Sequence, residues 1–253
     1  MTRVFRATLL TACALLSLSA AFSQEYTLKL NVKEGDTFKY RMSMEIDFGG
    51  QNLLATTTIT NKVLKVEENG NIQMESASGE MVIKFGDQEM PQPAPPATKM
   101  TLKPNGEVVK MESAQGLLPS NIGNVAFPDK PVKLGDKWSH TIKGQNGVPD
   151  IETTYELIGT EKIAESEALK MKVSARAANA KEGEGFSSSG HIWIDPKTGM
   201  LIKSELQLKG WQVEGAPMPI DGTLKMELVK QSSTVWHSTR GREQVRPLPR
   251  LYE

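Results

Sequence analysis

Asp36 and Asp136 stand in matching surroundings. Val32-Lys33-Glu34-Gly35-Asp36-Thr37-Phe38 returns as Val132-Lys133-Leu134-Gly135-Asp136-Lys137-Trp138. Two carboxylates brought together would form a carboxylate pair able to share a proton. Lys-x-Gly-Asp also fits a type II turn with glycine in third place. Asp and Gly are default turn residues, so the turn is the stronger reading.

Other chemistry is sparse. His140, His191 and His237 lie far apart, and none has the spacing of a metal or nucleophile motif. There is no nucleophile elbow, phosphate loop or dinucleotide fingerprint. Ser187-Ser188-Ser189-Gly190 reads as loop before a strand. His191 shares parity with Trp193, opposite Ile192 and Ile194, and so faces solvent. No catalytic residue is expected, and the protein reads as a non-enzyme.

The twelve methionines are the odd composition. Exported thioethers could bind Cu(I). Methionine at every second position of a strand is better explained as adaptable core filling. No metal and no cofactor are expected. A Met-rich and aromatic inner face has a second meaning, because soft apolar residues line cavities for acyl chains. Phe38, Tyr40, Met42 and Met44 form such a face, with Trp138, Ile142 and Met171 as counterpart. These seven are the candidate ligand-lining residues.

The elements that would position them are strands. In Thr37–Phe48 apolar and polar residues alternate throughout, which marks one buried and one wet face. Leu54–Val66 and Asn71–Ser78 flank Asn69-Gly70, a two-residue hairpin signal. Pro104-Asn105-Gly106 and Pro196-Lys197-Thr198-Gly199 mark two later hairpins. Gln88–Thr98 carries four prolines and reads as an exposed loop. Ser113–Leu118 could form one turn of helix. The expected fold is all-β and antiparallel, with very little helix. Two similar halves, an internal duplication, form a curved sheet, a half-barrel or packed sheets.

The domain reading follows. Residues 1–23 are a signal peptide, with Arg3 and Arg6 before an apolar stretch and Ala21-Phe22-Ser23 as the cleavage site. Residues 24–126 are the first β repeat and 127–233 the second. Residues 234–253 are a basic, loose tail. The protein is expected in the periplasm or secreted. A lipid anchor on Cys13, the sole cysteine, is the disfavoured alternative. The chain has 30 basic residues, two of them (Arg3 and Arg6) in the leader, against 30 acidic ones. That balance excludes a nucleic-acid footprint. No apolar run in the mature chain is long enough to span a bilayer. Sparse aromatics argue against an outer-membrane barrel.

The Val-Lys-x-Gly-Asp-x-[Phe/Trp] openings and the Ile192–Lys203 stretch resemble a group of uncharacterised exported bacterial β-rich proteins, a domain of unknown function. The resemblance spans Tyr26 to about Lys230 and implies location and architecture only. The Asp195–Gly199 hairpin also resembles the LolA-like and LppX-like half-barrel lipoprotein carriers. It implies a lipid or other hydrophobic small molecule as ligand. The expected function is therefore a non-enzymatic envelope protein that binds an apolar or amphiphilic ligand on its inner face. The alternative is an interaction or structural module with an envelope protein partner.

Overall fold

The structure, a computed structural model, describes residues 24–48, 51–112, 125–143, 150–178, 180, 185–211 and 219–232. The signal-peptide segment, the Ser113–Leu118 helical turn and the basic tail lie outside them. The fold is all-β. In the first half run β1 (Thr37–Phe48), β2 (Gln51–Val66), β3 (Ile72–Ser78), β4 (Met81–Phe85), β5 (Gln88–Gln92), β6 (Thr98–Leu102) and β7 (Val108–Glu112). In the second run β8 (Lys137–Ile142), β9 (Ile151–Ile163), β10 (Ser166–Ala177), β11 (Ser187–Ile194), β12 (Leu201–Trp211) and β13 (Ile220–Ser232). No helix among the described residues is long and apolar enough to cross a membrane.

All strands join one antiparallel sheet in the order β7-β6-β3-β2-β1-β13-β12-β11-β10-β9-β8. The sheet curves without closing into a barrel. β8 to β13 form an unbroken meander. β13 then pairs with β1, so the last strand joins the first along nearly its whole length. The β4–β5 hairpin sits beside β2 at Leu53–Thr56, where β3 no longer accompanies it.

Alternation drives the burial. Phe38, Tyr40, Met42 and Met44 on β1 are buried, while Lys39, Arg41 and Glu45 between them are exposed. The same face takes Val63, Met74, Leu157, Met171, Ile194, Leu206, Leu224 and Met226 into one core cluster. Cross-strand pairs continue it over the β1–β13 join, with Met42 opposite Met226 and Met44 opposite Leu224. Burying side chains of this size contributes about 1.5–3 kcal/mol each.

The Lys-x-Gly-Asp segments adopt the same turn, bond for bond. Asp36 N–H donates to Lys33 O at 3.0 Å, and Lys33 N–H donates to the Asp36 carboxylate at 2.8 Å. Asp136 N–H donates to Lys133 O at 3.0 Å, and Lys133 N–H to the Asp136 carboxylate at 2.8 Å. Gly35 and Gly135 have φ of 86° and 92°, as the third place of a type II turn requires. Each turn is pinned to a strand: Gly35 N–H donates to Val63 O at 2.9 Å, and Gly135 N–H to Leu157 O at 2.7 Å. Both carboxylates thus serve the backbone.

The chain ahead of each turn crosses a hairpin belonging to the other half or its own. Asn31 N–H donates to Thr198 O at 2.9 Å, and Leu30 N–H to Pro104 O at 2.7 Å. Phe127 N–H donates to Asn105 O at 2.7 Å. Tyr26 and Val132 exchange both backbone bonds, at 2.8 and 2.9 Å. Two glycines make the crossings feasible. A Cβ on Gly199 would lie 2.3 Å from Lys29 O, and one on Gly106 would lie 2.0 Å from Val125 O.

Several expectations need correction. Gln88–Gln92 is a strand rather than loop. Among the described residues it pairs only with β4, so Pro91 sits on an edge where a missing N–H is tolerated. Ser187-Ser188-Ser189-Gly190 belongs to β11, held between β10 and β12 on both sides. The turn between β2 and β3 is longer than Asn69-Gly70. Gly70 N–H donates to Glu67 O at 2.9 Å and Gly70 alone takes positive φ, at 86°. That is a type I turn closed by a left-handed glycine, not the two-residue form.

Glycine geometry yields a paired test. At Gly135, with φ of 92°, a Cβ meets nothing within 4 Å, so Gly135→Ala carries only the left-handed backbone cost of about 1–2 kcal/mol. Gly106→Ala adds a collision with the backbone of Val125 and is expected to cost at least about 1 kcal/mol more. Urea denaturation of the two variants measures the difference, and equal losses would refute the crossing geometry.

Candidate functional site

The seven sequence-chosen residues fall on the inner face. Phe38, Tyr40, Met42, Met44 and Met171 all belong to the core cluster, and Trp138 packs against it, partly buried. Ile142 lies opposite Ile151 on the outermost strand pair, half-buried and outside that cluster. Trp138 stacks on Tyr155 with ring centroids 5.5 Å apart, and its indole N–H donates to Ala126 O at 2.8 Å.

On the inner face Phe38, Tyr40, Met42, Met44 and Met171 are packed into the buried core. A cavity of about 70 Å³ is left where Leu30, Gly106, Val125 and Gly199 meet Tyr40 and Asn61. An internal site for a benzene-sized guest needs roughly 150 Å³. Small-molecule pockets span roughly 300–1,000 Å³. The Tyr40 hydroxyl and the Asn61 Oδ1 are buried without a hydrogen-bond partner among the described residues, and both residues line this cavity. Burial drives the Tyr40 phenol well above its ordinary range. Burial also pushes the Tyr155 phenol up to about 12, against a weaker opposing hydrogen bond with Ala126.

The outer face carries the larger hollow. It has a volume of about 480 Å³ and lies over β9, β10, β11 and β12. Its floor is made of the short outward side chains of Ser174 on β10 and Ser187 and Ser189 on β11, with Ala175 and Ser188 between them facing the other side of the sheet. Its rim is made of Glu152, Arg176, Gln207 and Lys209. Register explains the grouping. Arg176 lies opposite both Glu152 and Ser187, and Ser187 opposite Lys209. Ser174 lies opposite Thr154 and Ser189, and Ser189 opposite Gln207. Short side chains between longer ones let the surface sink.

Arg176 Nη2 and Nε donate to Glu152 Oε2 at 2.9 and 3.2 Å. The Arg176 side chain is still 66% exposed, so this pair is screened and holds the guanidinium only loosely. Among the described residues, Lys209 has no ion pair, and Ser174 and Ser189 make no side-chain hydrogen bond.

A second outer-face cluster centres on Trp193, only 4% exposed despite its outward parity. The ammonium groups of Lys170 and Lys203 lie 4.9 and 4.8 Å from its ring centroid. Their stems cover the ring while their charges meet its π face. Glu161 accepts from the Trp193 indole at 3.0 Å and from Lys170 at 3.2 Å. Those two bonds, the indole's first, hold the Glu161 carboxyl below its usual range. His191 sits beside the ring at 6.1 Å between centroids.

His140 and His191 are half-buried and lie on β8 and β11, while His237 is outside the described residues. Among the described residues no group of three or more His, Cys, Asp or Glu could hold a metal ion. Sequence reasoning missed the hollow because its floor reads as loop. The one available signal was a Ser-Ser-Ser-Gly run directly abutting a strand.

No protein-family model matches the chain, and no curated protein matches it. Among solved structures, the chain is similar to the crystal structure of a DUF1329 family protein from Desulfovibrio piger. The identity is 11%, the match covers 81% of this chain and 88% of that one, and the TM-score is 0.26. The neighbour is thus itself a member of an uncharacterised family.

Two outcomes follow from the core. Tyr40→Phe keeps the ring and removes an unpartnered hydroxyl, so stability should change by less than about 1 kcal/mol. Phe38→Ala opens a hole in the same row and should cost about 3–5 kcal/mol. A severe loss in Tyr40→Phe by thermal denaturation would show that the hydroxyl, not the ring, matters there. Tyr155 gives a pH dependence. Its folded pKa lies above the unfolded value near 10, so its contribution is complete below pH 10. It is lost as pH rises through about 12. Denaturation followed from pH 9 to 12 should show a steeper decline in the native protein than in Tyr155→Phe.

Proposed function

We propose that this protein is a non-enzymatic exported envelope protein that acts by binding, and that its binding surface is the outer-face hollow. The observation that supports this reading is the contrast between the faces. The Phe38/Tyr40/Met42/Met44 face is core and leaves about 70 Å³, whereas the outer hollow offers about 480 Å³. Only the latter falls in the range of small-molecule sites.

The inner-face reading, an apolar or amphiphilic ligand against Met42, Met44 and Met171, needs the sheet to open and the methionines to repack. Methionine can repack, because its thioether stem is unbranched and flexible. The energetic obstacle is the core itself, since every buried side chain withdrawn costs about 1.5–3 kcal/mol. That reading stands second. Export rests on the Met1–Ser23 leader. The similarity of the two Lys-x-Gly-Asp turns supports descent from a duplicated module.

The test pits the two faces against each other. Mature protein is titrated with a fluorescent fatty acid, and a photo-crosslinking residue is placed separately at Ser189 in the hollow and at Asn52 on β2. Expected are no saturable fatty-acid binding and a Ser189 adduct with envelope material that excess native protein competes away. The Asn52 control should give none. Saturable fatty-acid binding with a silent Ser189 position would overturn the proposal in favour of the inner face.

A further inference from the structure

The chemistry of the hollow narrows its ligand. We infer that it takes an acidic saccharide, a sugar chain bearing carboxylate or phosphate groups. The inference rests on the outer-face reading above and adds the ligand class.

Its floor lies in the interior of the sheet. β10 pairs with β9 and β11, and β11 with β10 and β12, so backbone N–H and C=O groups there are engaged on both sides. A peptide strand has no free edge to join at this place. No leucine, methionine or aromatic side chain lines the hollow to receive an acyl chain; apart from Ala175 the lining is serine, threonine, glutamine and charge. What the floor does present is hydroxyls, which donate and accept.

Those hydroxyls are ordered by the ladder. Ser139, Thr154, Ser174, Ser189, Gln207 and Thr223 occupy one transverse row on six neighbouring strands. Adjacent members are about 4.7–4.9 Å apart along the row, the spacing between paired strands. The ends of the row bond internally: Ser139 Oγ lies 3.2 Å from Thr154 Oγ1, and Thr223 Oγ1 donates to Gln207 Oε1 at 3.1 Å. Ser174 and Ser189 in the middle are exposed and face the hollow. A row of polar groups at regular spacing suits a partner with hydroxyls along its own length.

The rim supplies the charge preference. Arg176 and Lys209 outweigh Glu152 by one positive charge. Arg176 uses Nε and Nη2 on Glu152, which leaves the Nη1 donors pointing elsewhere. A neutral sugar would favour an aromatic platform, but Trp193 is covered by Lys170 and Lys203. Attraction here comes from hydrogen bonds and charge rather than ring stacking.

The floor is also costly to the fold. Serine and glycine are poor residues for a central strand, where β-branched and aromatic side chains pack better. A Ser-Ser-Ser-Gly run between two neighbours departs from local preference, and such departures concentrate at functional places.

Mature protein titrated by calorimetry with an oligogalacturonate, with neutral maltoheptaose and with inorganic phosphate tests the inference. Two variants accompany it: Lys209→Ala, which removes charge, and Ser189→Tyr, which fills the floor. Circular dichroism shows whether both fold. The oligogalacturonate should bind, weaken at least tenfold in each variant and weaken as salt rises. Equal binding of maltoheptaose, phosphate binding as tight as the sugar acid, or unchanged affinity in both folded variants would overturn the acidic-saccharide class. If no sugar binds while the Ser189 crosslink still forms, only the ligand class fails. If both are silent, the outer-face reading fails with it.

Discussion

β1 and β13 pair over nearly their full lengths, and this contact makes one inner surface from two stretches of chain. Without it, β13 and β1 would each present an unpaired edge, and the methionine row would be cut between Met42 and Met226. The pairing is between the first and last strands of the sheet, so it closes a very long loop. Loop-closure entropy opposes so non-local a contact. In the folded protein the crossings of residues 26–31 and 125–132 over the two hairpin turns add further long-range bonds that help to offset it. Their close approach is allowed by Gly106 and Gly199, where any side chain would strike backbone.

Filling the inner surface has a consequence for function. A face occupied by Phe38, Tyr40, Met171 and Leu224 is the source of stability, and a receptacle there would need those side chains to move. The outer face is free of that duty. Its residues are selected by solvent and by one another, as the lysine-covered Trp193 shows. In one region they shrink to serine, and a hollow results. Under the proposed function, the division between a packed side and a wet side is also a division between holding the fold and meeting a partner.

Much of the architecture was legible in the chain. The Thr37–Phe48 alternation marks a strand with those same ends, because twelve residues of strict period leave little ambiguity. The Lys-x-Gly-Asp turns were legible because only glycine takes φ near +90° readily. The Gln88–Gln92 strand was hidden by Pro91, and the start of β11 by its serines. In both, pairing with a neighbour overrode local preference. The seven inner-face residues were grouped by parity, but parity does not tell a lined cavity from a filled core. The hollow left only one trace in the sequence, the Ser187–Gly190 run beside a strand. Glu152, Ser174, Ser189 and Lys209 follow no motif and meet only through the register of four strands.

The amino-acid sequence by itself determined where the chain is extended, which side chains share a face and where glycine must turn it. Those are local properties, set by alternation and by backbone sterics. The tertiary structure decided that β1 meets β13, that the inner face is packed into one core and that the outer face sinks between β9 and β12. Curvature, neighbour choice and register arise from packing between distant segments, and a period of two in the sequence is compatible with many such arrangements.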